Sequence, residues 1–145
     1  MNKQTKQFEA IDLIPGEAAF RAYGSTLGEL FSNAGRALFS VMGDLKAIQP
    51  KQERSITLAD PSVERLLIDF LSELVYLKDA EAMLFSKFEV NVIKSDTYHL
   101  HAKLRGEPIN PDKHKLGVDV KGVTLHMYKF EQFSDRFQAQ VVLDI

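Results

Sequence analysis

Ser25 to Met42 (STLGELFSNAGRALFSVM) places apolar residues at Leu27, Leu30, Phe31, Ala34, Ala37, Leu38, Val41 and Met42, the i, i+3, i+4, i+7 spacing of a helix with one apolar stripe. Glu29, Ser32, Asn33 and Arg36 fall on the other face. Thr26 and Glu29 have the spacing of a capping box, and Gly43 stands where a left-handed C-cap is expected. At about 1.5–3 kcal/mol for each buried Leu, Phe, Val or Met, the stripe contributes on the order of ten kcal/mol. Gly28 and Gly35 lower the intrinsic propensity, so this helix forms only against something that covers it.

The rest of the chain supplies the cover. Phe8 to Asp12 reads as a short strand, Pro15-Gly16 as a turn, and Ala18 to Gly24 as a second extended piece. Arg54 to Leu58 alternates as a strand, and Asp60-Pro61 reads as an N-cap acid before a proline at the first helical position. A second helix follows, with Val63, Leu66, Leu67, Phe70, Leu71 and Leu74 inward, ending near Lys78. From Phe85 the period becomes two: Phe88, Val90 and Val92, then Tyr98, Leu100, Ala102 and Leu104, form a hairpin around the polar turn from Lys94 to Thr97. Gly106 to Lys115 reads as a long loop. Val118 and Val120 begin a strand whose phase shift at Lys121-Gly122 suggests a bulge, and Phe137, Ala139, Val141 and Leu143 form the last strand. The expected class is α+β, a mainly antiparallel sheet packed on two helices, as a single domain over residues 1–145.

A formal charge of −2 argues against a domain that binds nucleic acid by neutralising phosphates alone. The absence of cysteine excludes disulfides, thiolate metal sites and a thiol nucleophile. No apolar run approaches the roughly 18 residues of a membrane span, and Met1 to Gln7 lacks a signal-peptide core, so the expectation is a cytoplasmic protein. Phosphate-loop, dinucleotide and nucleophile-elbow motifs are missing.

His99 and His101 share a strand face and read as solvated, while His114 and His126 are isolated and read as polar surface or supporting residues. The chemically suggestive constellation involves the last residues. Asp144 and the α-carboxylate of Ile145 lie together, and the Pro-Gly turn can bring Glu17 beside them. At about 4 Å and an effective dielectric near 20, each like-charged pair costs on the order of 4 kcal/mol, so such a cluster calls for a cation. Its hard oxygen donors suit Ca²⁺, or Mg²⁺ or Mn²⁺ with water completing the shell.

Several segments together carry a family resemblance: Arg21 to Leu27 with Glu29-Leu30-Phe31 and Ala34; Leu66-Leu67, Phe70-Leu71, Glu73-Leu74 and Tyr76-Leu77 with Asp79; Leu84 to Phe88; Gly106-Glu107-Pro108 with Pro111 and His114; Val120-Lys121 with Val123-Thr124 and His126; and Ala139 to Asp144. Over nearly its whole length the chain resembles the archeases, activators of RtcB-type RNA-splicing ligases. The resemblance implies a non-catalytic cofactor that promotes guanylylation and multiple turnover of the ligase in tRNA splicing or RNA repair. GTP would be used by the ligase, RNA met only through it, and neither DNA nor membrane engaged. It also implies a divalent-cation site at Glu17, Asp144 and Ile145 and an activating role for Lys121. Where the family reads His-Thr-Ala-Asp, this chain has Ile14-Pro15-Gly16-Glu17, and Asp12 becomes a rival ligand. Two other readings compete: a stand-alone metal-dependent enzyme acting on a phosphorylated substrate, and a metal-free interaction domain.

Overall fold

The computed structural model describes residues 6–145. Its strands are β1 (Phe8–Ile11), β2 (Ala18–Gly24), β3 (Gln52–Asp60), β4 (Met83–Lys94), β5 (Tyr98–Pro108), β6 (Gly122–Gln132) and β7 (Phe137–Asp144). The helices are α1 (Leu27–Met42), α2 (Val63–Glu81) and the one-turn α3 (Pro111–His114). The class is α+β as expected, but the strands divide into two antiparallel sheets, β1-β2-β7-β6 and β3-β5-β4.

Helix α1 packs against both sheets, chiefly through β2 and β4. This explains why its periodicity understates its burial. Phe39, outside the predicted stripe, is fully buried, and its ring meets Phe85 edge-on at 5.6 Å. Asn33 and Ser32, assigned to the wet face, instead bond the Tyr23 and Phe88 carbonyls at 2.8 and 3.0 Å. Gly28 serves close approach, because a Cβ there would stand 2.3 Å from the Val90 carbonyl oxygen. Helix α2 lies against β3, α1 and β6, with Phe70 and Phe31 5.8 Å apart between the two helices.

The helix ends differ in detail from the sequence reading. Thr26 Oγ1 caps the Glu29 N–H at 3.1 Å, but Glu29 reaches back to Ser25. Gly43 is extended (φ −171°), not left-handed. The N-cap of α2 is Ser62; Asp60 ends β3 and accepts the Ser62 N–H at 2.8 Å. Helix α2 runs on past Lys78 to Glu81 and stops at left-handed Ala82.

Two further corrections concern the C-terminal half. The expected long loop is mostly ordered: β5 continues to Pro108 and α3 follows. The bulge in β6 lies beyond Lys121-Gly122. Thr124 pairs with Val142 and Lys129 with Gln140, so Leu125–Tyr128 stand against Val141 alone, with Met127 at φ 53°.

Candidate functional site

Ile14-Pro15-Gly16-Glu17 forms a type II turn. Pro15 supplies the fixed φ, Gly16 takes φ 84°, and the Glu17 N–H donates to the Ile14 carbonyl at 3.2 Å. The turn delivers the chain into β2, where Ala18 pairs with Leu143. Continued by one residue, that ladder sets Glu17 opposite Asp144. Asp12, continued from the Ile11–Ala19 pair, falls in the row of Ala18 and Leu143 instead. Successive side chains alternate between the sheet faces. Phe20, Ala22, Ala139, Val141 and Leu143 face the core; Glu17 and Asp144 therefore belong to the other face, and both are exposed. Ile145 is half-buried and packs on the core.

Lys121 arrives at the same end of the sheet. Its N–H donates to the Asp144 carbonyl at 2.7 Å, and Gly122 next to it pairs with Asp144. The segment before it is pinned by Lys78. This ammonium is 4% exposed and donates to Asp119 Oδ1 at 2.6 Å and the Val120 carbonyl at 2.9 Å, with Asp79 at 2.7 Å. Burial pushes the Lys78 pKa down, but the hydrogen bonds and charges of Asp119 and Asp79 outweigh it and raise the value, so Lys78 stays charged. The sequence marked Lys78 only as a helix end, because its partners lie about forty positions downstream.

Register thus brings Glu17, Asp144, Ile145 and Lys121 to one end of the four-stranded sheet. Two carboxylates opposed across adjacent strands repel, and hard oxygen donors of this kind fit a cation that keeps several waters, such as Ca²⁺ or Mg²⁺. Among the described residues, no group of three or more His, Cys, Asp or Glu gathers that could hold a metal ion. A bound cation would therefore need the terminal carboxylate or water to complete its shell. His99 and His101 are exposed on β5, as is His126 in the β6 bulge.

Of the two roles the sequence left open for His114, polar surface or support, the structure gives it the second. It is fully buried, and its Nδ1 accepts the Asn110 N–H at 2.9 Å, which puts its proton on Nε2, 2.9 Å from Glu107 Oε2. Glu107 also accepts from the Gln49 N–H at 2.7 Å and from Lys113 Nζ at 2.8–2.9 Å. Burial would raise the Glu107 pKa, but these donors outweigh it and hold the carboxyl at about 2. The network ties β5, α3 and the segment before β3 together.

The Archease protein family model matches residues 8–145. Protein archease of Methanosarcina mazei is 35% identical, over all of both chains. Protein archease of Thermococcus kodakarensis is 40% identical over 86% of this chain and 89% of its own. The solution structure of a Methanobacterium thermoautotrophicum protein superimposes with a TM-score of 0.85 at 37% identity, covering 97% of this chain and all of that one. A Thermotoga maritima crystal structure, described as an archease and possible chaperone, shares the fold with a TM-score of 0.60 at 16% identity, covering 100% and 99% of the two chains. Among the described residues, no helix is long and apolar enough to cross a membrane.

Proposed function

The chain belongs to the archease family, and from that premise we propose that it is a non-catalytic activator of an RtcB-type RNA ligase, promoting guanylylation from GTP and repeated turnover. The observation that carries this reading is the convergence of opposed Glu17 and Asp144 with Lys121 at an exposed sheet end. Glu17 and Asp144, with the carboxylate of Ile145, would hold a divalent cation. When bound, that ion would supply positive charge to oxygens at the surface of the partner. Glu17 reaches one methylene further than the aspartate usual in the family and can still coordinate through both oxygens. The type II turn fixes where its backbone starts, and the Lys78–Asp119–Val120 contacts fix the approach of Lys121. Opposed acids and a neighbouring ammonium give this end a mixed charge suited to docking beside a bound nucleotide and metal. The RNA that this protein meets is RNA engaged by the ligase.

The test is multiple-turnover ligation with a cognate ligase, GTP and Mn²⁺, comparing wild type with Asp144→Ala. The expected result is that the variant leaves the ligase near a single turnover. Undiminished turnover with the variant removes this end of the sheet from the mechanism.

A further inference from the structure

The outer face of the four-stranded sheet carries a second polar row, two steps along from Glu17 and Asp144. Register aligns Lys129 on β6, Gln140 on β7 and Arg21 on β2. Gln140 is only 4% exposed and uses both ends of its amide: Oε1 accepts from Arg21 Nε at 3.1 Å, and Nε2 donates to the Met127 carbonyl at 2.9 Å. Unbroken pairing from Thr124 opposite Val142 would set His126 against Gln140. The bulge instead advances the register to Lys129 and turns the Met127 carbonyl onto the amide. Met127 adopts a left-handed φ of 53° to do so, a conformation that a non-glycine residue keeps only where its surroundings dictate it.

The result is a guanidinium held through Nε, with its two terminal nitrogens unengaged by hydrogen bonds among the described residues. Glu9, which faces Arg21 across β1 and β2, is taken up by the Tyr23 hydroxyl and Lys6. No carboxylate lies within 4 Å of Arg21 among the described residues. A guanidinium fork oriented through Nε presents the paired N–H donors that tetrahedral oxyanions take, and Lys129 stands in the same row two strands away, roughly 10 Å between backbones.

We propose that Arg21 and Lys129, set on either side of buried Gln140, form a binding site for a phosphate group of RNA. The oxyanion chemistry stands on this geometry alone, and RNA as the source of the phosphate rests on the ligase-activator reading above.

The test follows the Arg21 Nε–Hε resonance of the full chain by NMR at fixed low ionic strength. The titrants are inorganic phosphate, a short RNA bearing a 3′-phosphate, the same RNA with a 3′-hydroxyl, GTP and acetate. A saturable shift with inorganic phosphate and with the phosphorylated RNA is expected, stronger than with acetate or GTP. Followed in the variants through the backbone amides of positions 21, 129 and 140, binding should be lost in Arg21→Gln and weakened roughly tenfold in Gln140→Ala, the scale of one charge-assisted hydrogen bond. Acetate matching phosphate would make the site a carboxylate receptor and overturn the proposal, as would GTP outcompeting the RNA or the absence of any saturable shift. The wild-type titration decides the matter if the variants fold poorly. Asp144→Ala separates the two readings. Lost ligase activation with an intact Arg21 response sinks neither, whereas a silent Arg21 in a protein that still activates sinks this site alone.

Discussion

Glu107, on β5 of the three-stranded sheet, and the Glu17–Asp144 pair, at the end of the β2–β7 ladder, are carboxylates of the same fold whose surroundings differ in kind. Glu107 is met by the Gln49 N–H, the His114 ring and the Lys113 ammonium. Glu17, in the turn before β2, and Asp144, at the end of β7, fall in one row when the β2–β7 ladder is continued by a residue, and no hydrogen-bond donor reaches either side chain among the described residues. An acid surrounded by donors from its own chain is part of the architecture. Acids brought together without donors leave their charge to be met from outside.

The largest expected effect tests the first half of that contrast. Glu107→Gln strips the charge from a buried network and should lower the unfolding free energy by about 3 kcal/mol, read from urea denaturation. Asp144→Asn should stay within about 1 kcal/mol. Equal losses in the two variants would erase the distinction.

Acid titration sharpens it further. The Glu107 carboxyl titrates lower in the folded chain, at about 2, than its ordinary 4.5. The unfolded chain therefore binds the proton first as pH falls, and the stability this group contributes is complete above pH 4.5 and lost as pH drops toward 2. Wild type should lose stability through that window more steeply than Glu107→Gln. Parallel curves would mean that the donors around Glu107 contribute nothing to its pKa.

The smallest effect concerns the other pair. Without divalent ions, Asp144→Asn relieves a cross-strand repulsion of roughly 0.2–1 kcal/mol and should raise the melting temperature slightly. Millimolar Ca²⁺ should reverse the order by stabilising wild type and not the variant. A melting temperature indifferent to Ca²⁺ in both proteins would show that the opposed acids hold no ion.

Much of this was legible in the residues, and what was hidden has a common cause. The α1 stripe, the inward face of α2 and the β4–β5 alternation follow from local periods that one buried side dictates. Phe39 and Asn33 escaped because α1 is covered from two sides, a fact about the second sheet and not about the helix. The Pro15-Gly16 turn was readable because proline and glycine carry their backbone preferences with them. The pairing of Ala18 with Leu143 joins the two ends of the chain, and no local pattern reports it. The convergence of Glu17 with Asp144 was therefore visible only as a condition on how the two ends of the chain meet. His114 looked isolated because its partner Glu107 lies across a loop that folds back through α3. The Lys78 contacts to Asp119 and Val120 and the Gln140 contacts to Arg21 and Met127 gave no local signal, since those partners come from the segment before β6, from β2 and from β6.

The kink in β6 also bears on how copies of this protein behave beside one another. β6 is an open edge of the four-stranded sheet, and a straight run of that length would offer unpaired amides and carbonyls as a template for another chain. With Leu125–Tyr128 thrown out of register against a single residue of β7, this edge is interrupted midway and offers a neighbouring copy no continuous ladder to extend.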